Sequence, residues 1–272
     1  MKYINIIKKN KFIRKIYFST KAFYLYVSVL LTGYQQYFHN YLYYKFLSIK
    51  RDKNFKKNGH ELINLISASE WKEFSKDVSK SYLDSSELKP TPTPGHINLR
   101  QYIDHKDPII YKHIDKILTS EDFRRQVSKY VGDSFIVSNV QIWRNLASSF
   151  KVLDEEVNSS FYHFDNGNEG KDKAVVNIFM YLSNVTNKNG PFTFYNPSES
   201  RLINRKFAFK ILKNFNLRER GMLPIIESVV SPKTLICNPG EALVIDNQIC
   251  MHRAGFCYDG YRDIIEIMCR PK

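Results

Sequence analysis

Cysteine is scarce. The 272 residues hold four, Cys237, Cys250, Cys257 and Cys269, with no C-x-x-C pair and no zinc-ligand spacing. That excludes a disulfide framework or a zinc ribbon as the basis of the fold. It leaves these residues as small, buried apolar side chains and points to a reducing, cytoplasmic compartment. A long apolar run is also lacking. The longest, residues 22–32, has 11 residues, where ~20 are needed to span a bilayer. No small-residue cleavage site follows it, which argues against a secretory leader. Internal repeats are absent too. Acids are almost missing from the start of the chain, where residues 1–60 carry 13 Lys/Arg against one acid, Asp52. The whole chain has 41 Lys/Arg and 27 Asp/Glu, so residues 61–272 keep 28 against 26 and are nearly neutral. The formal charge of +14 therefore belongs to one end and not to a basic folded body, and nucleic acid is not the expected partner.

What is present is a globular composition, 43% hydrophobic and 25% charged, which is enough for a packed core. The charge step divides the chain into a basic, aromatic-rich extension at 1–58 and a body at 59–272. In the extension Phe23, Val27, Leu30, Tyr34, Phe38 and Tyr41 recur at helical spacing. Two readings stand: a helix packed on its own protein, or an interfacial helix whose tyrosines and lysines make peripheral contact with an anionic membrane.

The body changes character along its length. Residues 59–132 read as helices with breaks. Ser67-Ala-Ser-Glu70 is a capping-box pattern opening a helix to about Lys80. Lys89–His96, KPTPTPGH, reads as an extended loop. Asp107-Pro108 reads as an N-cap and first helical residue, and Ser120 as the cap of a helix ending near Gly132. Residues 133–272 instead carry short runs rich in Val, Ile and aromatics: 135–143, 174–182, 192–195, 234–237, 242–245 and 263–268. Helices followed by many short strands predict a mainly β fold with flanking helices. The core would be a β-sandwich or a cupin-like jelly roll (double-stranded β-helix), with the helices as support.

Three His-x-Asp triplets occur, and two serve as controls. At His105/Asp107 the aspartate already caps a helix; His113/Asp115 falls within a helix, where residues two apart point about 200° apart and cannot grip one ion. His163/Asp165 differs, because residues i and i+2 of an extended segment face the same way. A third ligand must come from a neighbouring strand, and His252, in PGEALVIDNQICMHRAG, supplies it. Two histidines and one carboxylate suit Fe(II) and leave three coordination positions open. Ten residues on, Arg262 opens RDIIEIM, where a planar guanidinium can hold a distal carboxylate by two parallel bonds. Arg253 is the rival, but it follows the ligand directly and is expected to face the other way.

From about Val137 onward these residues resemble the phytanoyl-CoA dioxygenase family of Fe(II)- and 2-oxoglutarate-dependent oxygenases. FYHFD stands where that family has a Trp-His-x-Asp segment. VVNIFMYLSNVTNKNGPFTFYNPSES is similar to its strand, its Asn-Gly-Pro turn (here Asn189-Gly190-Pro191) and a following hairpin. GEALVIDNQICMHRAG with Arg262 is similar to its second histidine and co-substrate arginine. Tyr162 replaces the usual tryptophan, and Asn196-Pro-Ser-Glu-Ser replaces a Gly-Ser-His hairpin. The resemblance implies iron on His163, Asp165 and His252, and 2-oxoglutarate on Arg262. It also implies use of O2, release of succinate and CO2, and hydroxylation of a small-molecule, lipid or glycan-precursor substrate. Gln141 is a further co-substrate candidate. Asn177 and Tyr181 alternate along their strand toward the expected cavity, and Trp143 reads as core. The polar stretch 151–160 reads as part of a substrate lid. Two competing readings remain: a cupin-type metalloenzyme that does not use 2-oxoglutarate, and a non-catalytic binding module on the same barrel.

Overall fold

The structure is a computed structural model that describes residues 53–84, 100–104, 106–147, 162–165, 176–211 and 222–272. The stripe from Phe23 to Tyr41, the KPTPTPGH segment, His105 and the 151–160 stretch lie outside the described residues. In chain order the elements are α1 (Lys53–Asn58), β1 (His60–Asn64), α2 (Ala68–Asp84), β2 (Arg100–Ile103), α3 (Pro108–Thr119) and α4 (Glu121–Val131). Then come β3 (Phe135–Leu146), β4 (Val176–Tyr181), β5 (Thr193–Phe194), α5 (Pro197–Ile211) and α6 (Met222–Glu227). The chain finishes with β6 (Lys233–Thr234), β7 (Glu241–Ile245), β8 (His252–Arg253) and β9 (Tyr261–Pro271). Among the described residues no helix is long and apolar enough to cross a membrane.

The strands make two antiparallel sheets, one of six in the order β1-β7-β4-β9-β3-β2 and one of three in the order β6-β5-β8. Both faces of the large sheet are buried, which is why β4 is apolar at nearly every position instead of alternating. One face carries Ile142, Ile178, Met180, Val244, Ile265 and Ile267 against Phe74, Val78, Ile110, Ile114 and Val127 of the helices. The opposite face carries Trp143, Phe179, Tyr181, Leu243, Ile245 and Ile264 against Phe192 and Phe194 near and on β5. Each fully buried side chain of this size contributes on the order of 1.5–3 kcal/mol by leaving water. The functional residues lie on this second face, between the sheets.

The helix ends follow the sequence signals. The Ser67 N–H donates to the Glu70 carboxylate (2.9 Å) and the Glu70 N–H to the Ser67 hydroxyl (3.3 Å), completing the capping box of α2. Asp107 accepts from the Ile109 and Ile110 N–H groups with Pro108 at the start of α3, and Ser120 accepts from Phe123 at the start of α4.

Three features depart from the sequence reading. The segment 59–132 is not purely helical, since β1 pairs with β7 and β2 with β3, extending the large sheet on both sides. Short edge strands with one exposed face carry little alternation to betray them. The segment 1–58 ends inside the packed body, because α1 places Phe55 fully buried against Tyr130, with ring centroids 4.6 Å apart. Finally, Asn196-Pro-Ser-Glu-Ser is not a hairpin but the start of α5. Glu199 accepts the Asn196 N–H (2.7 Å), so Asn196, Pro197 and Glu199 form the helix-opening pattern already recognised at Ser67.

Candidate metal centre and adjoining pocket

The segment around His163 meets β8 through an isolated bridge in which His163 and His252 exchange backbone N–H···O bonds, both 2.9 Å. β8 in turn pairs with β5. This register stands the two imidazoles side by side, ring centroids 4.4 Å apart. Behind β5, the turn at Gly190 has φ +72, and a Cβ there would lie 2.5 Å from the Gly255 carbonyl oxygen. The close approach of the two glycine backbones is what lets the chain before β5 pack on the chain after β8.

His163, Asp165 and His252 offer ligand atoms that all lie within 4.8 Å of one another. Asp165 Oδ1 lies 3.7 Å from His163 Nε2 and 3.5 Å from His252 Nε2. The other oxygen, Oδ2, accepts from the Asn247 side-chain amide (3.0 Å), while the Asp165 N–H donates to the Asn247 carbonyl (3.1 Å). Asn247 thus grips Asp165 at two points and turns one oxygen toward the histidines. His252 Nδ1 is 3.0 Å from the Cys250 carbonyl, which can only accept, so Nδ1 carries the hydrogen and Nε2 presents its lone pair. Phe192 stacks on the His252 ring at 5.4 Å. Burial opposes ionisation of Asp165, but His252, His163 and Asn247 outweigh it and hold the carboxyl at about 2. Burial likewise disfavours the charged form of His252, and Asp165 more than offsets it, raising its pKa. With two neutral imidazoles and a carboxylate converging from one side, the donor set fits an octahedral divalent ion such as Fe(II) with one face left open.

The three residues line a pocket of about 130 Å³ together with Trp143, Phe179, Phe192, Asn247, Ala254, Arg262, Ile264 and Glu266. That is well below the roughly 300–1,000 Å³ of a drug-sized site and suits a small organic acid. Arg262 is 2% exposed. With its amide oriented oxygen-inward, Asn145 accepts from Arg262 Nε (3.1 Å) and Nη2. Tyr181, whose hydroxyl accepts the Phe192 N–H (2.7 Å), lies against the same guanidinium; burial pushes its pKa to about 12 while Arg262 pulls the other way.

His163, Asp165, His252 and Arg262 therefore come together as the spacing predicts. Tyr181 and Asn177 do lie on the inner face of β4, as their alternation implies, but neither lines the pocket. The reading of Gln141 and Asn177 as co-substrate contacts needs correction. Asn177 is buried and donates to Glu266, and Gln141 sits opposite Glu266 in the β3–β9 register without lining the pocket. Glu266 projects from the intervening strand and takes the place at the wall. Trp143 is buried, as a core residue would be, and also forms part of the wall. Arg253 faces away, donating to Glu227 (3.2 Å) above the Tyr162 ring. His113 stacks on Phe74 and pairs with Asp77 (2.7 Å), a structural role, while Asp115 is exposed. Sequence reasoning missed Asn247, whose proximity to Asp165 has no local signature. It also missed Glu266, although its spacing of four from Arg262 on one strand places both on the same face.

No protein-family model matches the chain, and no curated protein matches it. Solved structures do. HygX from Streptomyces hygroscopicus with nickel and 2-oxoglutarate bound is similar with a TM-score of 0.52 at 16% identity, over 80% of this chain and 85% of that one. SnoN, a non-heme alpha ketoglutarate dependent epimerase from nogalamycin biosynthesis, is similar with a TM-score of 0.52 at 12% identity, over 80% and 79%. The apoform of EctD from S. alaskensis is similar with a TM-score of 0.52 at 13% identity, over 80% and 74%. At these identities the likeness establishes a shared fold.

Proposed function

We propose that this chain is a non-haem Fe(II)- and 2-oxoglutarate-dependent oxygenase of the phytanoyl-CoA dioxygenase type, built on a double-stranded β-helix. Residues 59–272, with the preceding helix α1, form the oxygenase body. The observation that carries the reading is the convergence of His163, Asp165 and His252 in one pocket with the buried Arg262. The two histidines and Asp165 would hold the iron. Arg262, fixed by Asn145 and Tyr181, would hold the distal carboxylate of 2-oxoglutarate. Bound iron and 2-oxoglutarate supply the activation of O2, with succinate and CO2 as by-products. The chain's part is to orient and to exclude water. Asn247 keeps one Asp165 oxygen for the metal, Cys250 keeps Nε2 of His252 available, and Trp143, Phe179, Phe192 and Ile264 provide an apolar wall.

Neighbours carrying 2-oxoglutarate, as in HygX, or depending on it, as in SnoN, support the co-substrate. Arg262 in the pocket favours this over a cupin-type enzyme without 2-oxoglutarate, and the complete ligand set favours it over a binding module. The expected reaction is hydroxylation of a small molecule; because SnoN is an epimerase, product analysis for one added oxygen atom distinguishes hydroxylation from inversion. The primary test is spectroscopic. Anaerobic protein given Fe(II) and 2-oxoglutarate is expected to show a weak visible metal-to-ligand charge-transfer band, lost in His252→Ala and Arg262→Ala. Stoichiometric iron without that band would reject 2-oxoglutarate as co-substrate. The charge and aromatic stripe of the N-terminal segment support peripheral contact with an anionic membrane. Deleting residues 1–52 should abolish binding to phosphatidylserine vesicles, and undiminished binding would refute the contact.

A further inference from the structure

One wall of the pocket carries a charge that neither the metal nor the co-substrate uses. Glu266 is 8% exposed, lines the same pocket as the metal residues, and accepts a hydrogen bond from the buried Asn177 amide. Burying a carboxylate is expensive unless its charge is met. It shares a strand face with Arg262, with Ile264 between them. Four residues of strand separate the two, roughly 13 Å, so the pocket has a basic end and an acidic end. The Glu266 charge also reaches His252, which places the acidic end beside the metal residues.

The charges among the pocket-lining residues make a further point, which rests on the oxygenase reading. A divalent ion and Arg262 balance Asp165 together with a dianionic co-substrate. Glu266 then leaves one negative charge in excess beside the reacting centre. The same wall presents Trp143, Phe179 and Phe192, aromatic rings whose faces attract a cation. We propose that Glu266 is the recognition group of the substrate site, and that the substrate carries a protonated amine which pairs with Glu266 against this aromatic wall. Asn177 is its positioning residue, fixing one carboxylate oxygen so that the other faces the pocket.

The test uses the full-length protein loaded with Mn(II) and 2-oxoglutarate, which bind without turnover. Three fragment probes of matched size are compared: n-butylammonium, n-butanol and butyrate. Binding near the metal is read as manganese-induced relaxation of their methylene protons. Butylammonium is expected to bind preferentially, and Glu266→Gln should weaken it at least ~10-fold while Mn(II) and 2-oxoglutarate affinities stay within about twofold. Equal relaxation of butylammonium and butanol in the unmodified protein would overturn the proposal, whether or not the variant folds, as would undiminished butylammonium binding in Glu266→Gln. Failure of Mn(II) or 2-oxoglutarate to bind at all is a different result. It removes the oxygenase reading, and this inference falls with it.

Discussion

Asn247 shows how much of a metal centre is decided one atom away from its ligands. A free carboxylate offers two equivalent oxygens; here one is taken by an amide N–H and the other is turned toward two imidazoles. An ion held by Asp165 would therefore meet a single oxygen, which preserves open positions for other ligands. Asn247→Ala should weaken Mn(II) binding about 10–100-fold, the usual effect of losing an outer partner of a metal ligand. Calorimetric titration checks this, and an unchanged affinity would show that Asp165 is positioned by its backbone alone. His163, Asp165, His252 and Arg262 were all legible as residues, because ligand chemistry restricts the choice to a few side-chain types and an extended backbone aligns i with i+2. Asn247 and Glu266 were not, since asparagine and glutamate are ordinary surface residues and only their neighbours in space give them a task.

At the scale of elements, helix starts were the most readable features, because a cap is a local bargain between a side chain and the three N–H groups that follow it. Ser67, Asp107 and Ser120 all act as the chain implied. The capping box of α2 is also tied to α3, since Lys116 Nζ lies 2.6 Å from Glu70. The hydrogen bond from Lys116, then those from Ser67, hold the Glu70 carboxyl down at about 2. A depressed carboxyl stabilises the fold above its ordinary range and loses that contribution as pH falls toward the folded value. Chemical denaturation of the unmodified protein should therefore show stability falling between about pH 5 and pH 2, and Glu70→Gln should flatten that slope. Ser67→Ala should cost ~1 kcal/mol at neutral pH. An identical pH slope in Glu70→Gln would mean that other carboxyls dominate acid unfolding. Two edge strands were unreadable for the opposite reason. β1 and β2 are stabilised by partners far along the chain, β7 and β3, and carry no signal of their own. The cap of α5 was readable, but the expectation of a hairpin after Pro191 hid it.

For the whole molecule, the two sheets divide the labour. The small sheet and its bridge to His163 carry the metal residues, and the large sheet carries Arg262 and Glu266. An ion bound between them would be linked to folding, because the unfolded chain cannot gather the three ligands. At a hundredfold excess over Kd, Mn(II) should add about 2.7 kcal/mol. For a domain of this size that is a rise in Tm of roughly 5–10 °C. Thermal melts with and without Mn(II) measure it, and His252→Ala should erase the rise. Equal shifts in both proteins would place the binding elsewhere.

The sequence by itself determined the class of chemistry and the shape of its local parts. Two histidines, an aspartate and an arginine in order, strands dense in Val and Ile, and caps before each helix each depend on side-chain type and short spacing. Only the tertiary structure decided which residues meet. His252 lies 89 positions beyond His163, and the β-bridge that pairs them arises from the packing of distant segments. Whether a buried polar residue faces the pocket or its backing depends on the same register. A shift of one residue on β9 would exchange Arg262, Ile264 and Glu266 for Asp263, Ile265 and Ile267, because side chains alternate between the two faces of a strand.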